Sequence, residues 1–248
     1  VTEDASYYDI VERALYNTVL AGINIEGDRY FYVNPLEVVP EFCTEHTYME
    51  HVKPIRQKWF GVACFPPNVG RTLASLGQYI YARDEQAVYV NQFISSAADT
   101  EVGACRMRIK MDSTLLQDGK VRIEVQASGP GILKIRIPAY SENGSCVQNG
   151  ISIQVQPEKG YQQLAISSGD TVIALDFHVK PKWMGAKDQV RADAGKAALM
   201  KGPLVYCLEE KENGRLLSEI FIEENISVDE MTPAEGLVGN VPTLSYKG

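Results

Sequence analysis

From residue 87 onward, apolar and polar positions alternate. Cys105, Met107, Ile109 and Met111 are separated by polar or basic residues, and so are Val121, Ile123 and Val125. Leu133, Ile135 and Ile137 repeat the pattern, as do Ile151, Ile153 and Val155, and then Ile173, Leu175, Phe177 and Val179. Alternate residues of a strand share a face, so each run has one side to bury. Turn signals separate the runs: Gln117-Asp118-Gly119, Ser128-Gly129-Pro130-Gly131, Glu142-Asn143-Gly144 and Ser168-Gly169-Asp170. Half-buried strands at this spacing predict an antiparallel β-sandwich.

Ahead of that region the period is helical. Tyr7, Val11, Leu15 and Val19 predict an amphipathic helix over residues 3–21, with Thr2 or Asp4 as its cap and Gly22 at its end. Val69, Leu73, Leu76 and Ile80 predict a second over 66–82. Pro66 and Pro67 suit its first turn, and Asn68 is placed to cap orphan N–H groups there. Between the two, residues 29–33 are aromatic and β-branched and read as a short strand or extended loop closed by Asn34-Pro35. Residues 36–58 look irregular, with Pro40 and Pro54 as breakers. Beyond the sandwich, 181–195 reads as a linker or loop carrying Trp183, and 197–200, 203–206 and 221–222 suggest further strands. The tail, with Pro233, Gly236, Gly239 and Pro242, shows no clear element.

The fold class is therefore α+β and mostly β, in three stretches: 1–85 with two helices and a loop, 86–185 as a β-sandwich, and 186–248 as a partial second β domain. Two lone helices cannot bury their apolar faces unaided. Either they pack on the sandwich or they are the edge of a larger helical domain.

A hydrophobic share of 45%, a charged share of 23% and a net charge of -8 spread along 248 residues describe an ordinary globular chain. Without a basic stripe it is read as binding neither nucleic acid nor an anionic membrane surface. No apolar run reaches the length of a membrane span, and the acidic, helix-like start does not resemble a signal peptide. The five cysteines (Cys43, Cys64, Cys105, Cys146 and Cys207) are scattered without a C-x-x-C pair, so spacing gives neither a disulfide framework nor a self-contained zinc site. A reducing compartment fits them, which places the chain in the cytoplasm, or in the periplasm should a signal precede it.

Cys64 alone has a setting that suggests chemistry. It lies just before the predicted 66–82 helix, where the partial positive charge of the helix start favours a thiolate. Packing is the commoner role for a lone cysteine. Glu37, Cys43, Glu45, His46 and His51 are ligand types, but they sit in a polar loop without ligand spacing. His178 falls on a sandwich surface, Lys53, Arg56 and Lys58 on a solvated face, and Trp59 and Trp183 read as packing or sugar-stacking rings.

Four segments together resemble the bacterial β-L-arabinofuranosidases of glycoside hydrolase family 127: VERALYNTVLAGI at 11–23, YFYVNPLEV at 30–38, HVKPIRQKWFGVACFPPNVGRTLASLGQYIY at 51–81, and GKAALMKGPLVYCLE at 195–209. The resemblance covers nearly the whole chain but only the later part of a family member. It implies a large (α/α)6 barrel carrying the active site, followed by two β-sandwich-type domains, and removal of terminal β-L-arabinofuranose from plant-type glycans with retention. Most retaining enzymes use two carboxyl groups. This family is expected to use a zinc-bound cysteine thiolate as nucleophile and a glutamate as acid/base. One glutamate and three cysteines hold the zinc, two of the cysteines side by side before Pro-Pro-Asn.

Carried over, Cys64 matches the nucleophile and a zinc ligand. Phe65 stands in the place of the second cysteine and cannot bind metal. The other ligands and the acid/base glutamate match no residue here. Tyr32 matches a tyrosine expected to line the sugar pocket, with a packed aromatic as the alternative. A carbohydrate is thus the implied partner. Three roles follow for the chain: part of the hydrolase, a non-catalytic carbohydrate-binding or structural remnant, or a subunit whose barrel is completed by another chain or by a homo-oligomer.

Overall fold

The computed structural model describes residues 3–223, 226–231 and 242–246, and over these the chain is mostly β with a few helices. Thr2 and the tail positions Pro233, Gly236 and Gly239 lie outside the described residues.

The first helix, α1 (Ser6–Arg13), continues directly into a π-helical turn at Ala14–Val19. Asp4 receives the Ser6 N–H at 2.9 Å from one residue before the N-cap position, which is Ala5 and has no side-chain cap bond. The buried face keeps most of the predicted stripe, with Leu15 buried and Val11 and Val19 half-buried, but it is shifted toward Glu12. Tyr7 is exposed, while Ala5, Glu12 and Leu15 are buried. The helix turns this face inward because a buried arginine waits there: Arg136 donates to Glu12 at 2.7 Å, to Asp9 at 2.5 Å and to the Asn91 carbonyl at 2.6 Å. The second helix is broken in two, α2 (Phe65–Ala74) and α3 (Gly77–Ile80). Ser75 returns its hydroxyl to the Arg71 and Thr72 carbonyls, offering the backbone an alternative to another helical turn. Val69 and Ile80 are buried as predicted, but Leu73 faces out.

Strands β1 (Tyr81–Arg83), β2 (Val88–Val90), β3 (Ser96–Val102), β4 (Cys105–Thr114), β5 (Lys120–Ala127), β6 (Gly131–Arg136), β7 (Ser145–Gln148), β8 (Ile151–Ile153), β9 (Tyr161–Ile166) and β10 (Gly169–Asp176) build the sandwich. Its sheets run β1-β2-β6-β9 and β3-β4-β5-β10-β7-β8. The alternation is literal in β4, where Cys105, Met107, Ile109 and Met111 are buried and Arg106, Arg108 and Lys110 are exposed. One continuous core joins residues of both sheets, among them Val90, Phe93, Ile109, Ile123, Leu133 and Phe177. The pairing is not wholly antiparallel, because β2 runs parallel to β6 with Val88 opposite Leu133. His178 is on the surface beside Asp176, as read.

Of the stretch read as a linker, residues 186–195 form no strand but 181–185 do. It opens with β11 (Pro181–Gly185), which pairs with β12 (Ala197–Lys201), itself paired with β13 (Leu204–Tyr206). Pro181 and Gly185 look like breakers in sequence but begin and end an edge strand, where proline is tolerated. Residues 221–222 form no strand; instead β14 (Asp229–Met231) pairs with β15 (Thr243–Ser245). No helix among the described residues is long and apolar enough to cross a membrane.

Candidate active site

Three short segments converge at the end of the π-helical turn. Phe31 donates its N–H to the Gly22 carbonyl at 2.8 Å, and Tyr30 exchanges both backbone hydrogen bonds with Gln57, at 2.9 and 3.0 Å. Arg56 donates to the Ala21 carbonyl at 2.6 Å and lies over the Phe31 ring. Segments 22–32 and 56–60 are thereby fixed side by side, and the chain then runs through Phe60 and Cys64 into α2.

Cys64 is the N-terminal flanking residue of α2 and is exposed. Asn68 does not cap the helix start. It lies a turn inside, donating its side-chain amide to the Cys64 carbonyl at 2.7 Å and accepting from Arg71 at 2.6 Å. The helix begins one residue earlier than read, at Phe65, and Pro66 and Pro67 have no N–H to cap.

The structure brings Tyr32 and Cys64 together. Tyr32 lies beside the Cys64 side chain, and that neighbour holds the Tyr32 phenol above its ordinary pKa. Beneath them is an aromatic floor that the sequence reading missed. Tyr30 is buried, stacked parallel to Phe65 at 5.1 Å and tilted against Phe60 at 5.2 Å, while Tyr32 meets Phe60 at 5.7 Å. The signal was present, because Tyr30 and Tyr32 are two apart in an extended segment and so share a side. Gly22 completes the floor: a Cβ there would stand 2.7 Å from the Phe65 ring.

The other candidate ligands go elsewhere. Glu37 pairs with Lys196, Cys43 donates to the Val39 carbonyl, and the His46 N–H meets Glu50. Trp59 is exposed, and Trp183 packs edge-on against Tyr246. Among the described residues no three His, Cys, Asp or Glu side chains gather. Phe65 is turned into the aromatic floor, which leaves Cys64 as the sulfur donor at the start of α2.

Residues 1–78 match the family described as "Beta-L-arabinofuranosidase, GH127 catalytic domain", residues 87–179 its middle domain and residues 181–243 the "Glycoside hydrolase family 127 C-terminal domain". The chain is 35% identical over 216 residues to the non-reducing end beta-L-arabinofuranosidase of Bifidobacterium longum subsp. longum, covering 84% of this chain and 32% of that protein. A GH127 beta-L-arabinofuranosidase structure from Geobacillus stearothermophilus superposes with a TM-score of 0.88 at 37% identity, over 94% of this chain and 37% of that one. A second GH127 beta-arabinofuranosidase structure gives 0.83 at 27% identity, over 98% and 39%. The chain spans about a third of the length of the curated relative it matches.

Proposed function

This chain belongs to glycoside hydrolase family 127, and from that premise we propose that it is part of a retaining β-L-arabinofuranosidase acting on plant-type glycans. The observation that carries the proposal is the meeting of Tyr32 with an exposed Cys64 at the start of α2. A cysteine kept for packing belongs in the core, as Cys105 and Cys146 do.

In this reading the Cys64 sulfur attacks the anomeric carbon as the glycosidic bond breaks, and a carboxylic acid protonates the departing oxygen. Water then displaces the sulfur and restores the original configuration. Tyr32 orients the thiol and borders the sugar, and Tyr30, Phe60 and Phe65 keep the floor of the site apolar. The acid comes from helical segments outside this chain, residues 1–85 being the last part of an (α/α)6 barrel. The proposed zinc would likewise need donors from those segments.

The test is arabinose release from a β-L-arabinofuranoside by this chain together with a polypeptide carrying the remainder of the catalytic domain. Turnover is expected there and not with this chain alone, and Cys64→Ser lowers it on the order of 10³-fold or more. Turnover by the 248-residue chain unaided, or full activity of Cys64→Ser, overturns the assignment. Stoichiometric zinc on this chain alone, measured by mass-spectrometric metal analysis, would overturn the reading that the zinc needs donors from outside it.

A further inference from the structure

Every segment of the candidate site hangs from the end of the first helix, at Ala21 and Gly22. One side chain in the turn before it, Asn17, ties that end to a distant strand. In the π-helical turn, Leu20 bonds back to Leu15 rather than one residue nearer, at 3.0 Å. Within this wide turn Asn17 donates its amide to the Arg13 carbonyl at 2.7 Å. The same amide also spans to β13, donating to the Pro203 carbonyl at 2.7 Å and accepting the Val205 N–H at 2.8 Å. A carbonyl and an N–H two residues apart are what an edge strand offers to a neighbouring strand. Asn17 takes that neighbour's place.

We propose that Asn17 is a positioning residue for Cys64, through which the third domain fixes the platform of the active site. The path is continuous: β13 holds Asn17, Asn17 holds the π-helical turn, and Ala21 and Gly22 carry Arg56, Phe31 and the Phe65 ring beside Cys64. Arg136 of β6, bonded to Asp9 and Glu12 earlier in the helix, anchors α1 to the sandwich independently. Loss of the Asn17 clamp therefore frees the end of the helix without detaching its start. The inference rests on Cys64 being the reactive group of the proposed hydrolase, yet it is testable without hydrolysis.

The full chain is treated with iodoacetamide well below its unfolding temperature, and the alkylation rate at each cysteine is read by peptide mass mapping. Asn17→Ala is expected to change the Cys64 rate by about 3-fold or more, while the buried Cys105 and Cys146 stay unlabelled. Gly22→Ala, which strikes the same platform directly, should move the Cys64 rate in the same direction. An unchanged Cys64 rate in Asn17→Ala overturns the proposal. So does labelling of Cys105 and Cys146 in step with Cys64, which would mean general unfolding, and so does a Gly22→Ala response of opposite sign. Should the reconstituted enzyme prove inactive while these rates behave as expected, the hydrolase reading fails and the clamp stands.

Discussion

Taking a glutamate and an arginine out of water together costs several kcal/mol per ion, and only good geometry with further hydrogen bonds recovers it. Arg136 has that geometry, with Asn91, Asp9 and Glu12 around its guanidinium and the Tyr140 hydroxyl donating to Glu12 at 3.1 Å. Burial is still the largest influence on Glu12 and raises its pKa above the ordinary value despite Arg136. The folded carboxyl thus keeps its proton to higher pH than the unfolded one. Its contribution to stability is complete below the unfolded value of about 4.3 and is lost as pH climbs through the raised folded value. Comparing urea midpoints with those of Glu12→Gln isolates this group. The stability of the native protein relative to the variant should fall as pH rises above about 4.3; a rise would contradict the assignment.

At the scale of elements, strands with strict alternation decide the sandwich. Replacing Ile109, which is fully packed in β4, by alanine should cost about 2–5 kcal/mol in urea unfolding. Its exposed neighbour Lys110 changed to alanine should stay within about 0.5 kcal/mol. These strands were legible because one face of each is uniformly apolar. Some of those missed, such as β2 (Val88–Val90), are too short to show a period, and others carry polar residues where the pattern expects apolar ones. In β9 the buried Gln162 follows buried Tyr161, its side-chain oxygen accepting the Gln156 N–H at 2.8 Å. Edge strand β3 is mostly small and polar, with no residue fully buried. The first helix was found with most of its stripe facing in, but the charged Glu12 shares that buried face. Its partner Arg136 is 124 residues away, beyond any local pattern. For the same reason Cys64 and Tyr32 could be singled out individually, while their contact and the Tyr30–Phe65 stack depend on a fold no spacing announces.

Across the whole molecule the apolar surface is uneven. Between residues 87 and 179 the one large hydrophobic side chain exposed among the described residues is Ile151. In the first eighty residues Tyr7, Ile10, Leu36, Ile55 and Trp59 are all exposed. Scattered apolar residues are ordinary, but a concentration in one region marks an interface. Changing Ile10, Leu36 and Ile55 to serine should therefore lower binding of a hydrophobic dye and any concentration-dependent association seen by sedimentation. The melting temperature should hold within a few degrees, since little packing is lost. Dye binding that survives the triple change would place the adhesive surface elsewhere.

The distance in sequence between Glu12 and Arg136 also sets a clock. A ribosome adding about 5–20 residues per second delivers the arginine roughly 6–25 seconds after the glutamate, given the 124 residues between them. For that interval the newborn helix carries an acid meant for the interior with nothing to neutralise it. The parallel pairing of β2 with β6 imposes a similar wait, since Val88 meets Leu133 only after β3, β4 and β5 have emerged. The first helix and β2 thus wait for partners made well after them, and chaperones have a long opportunity there.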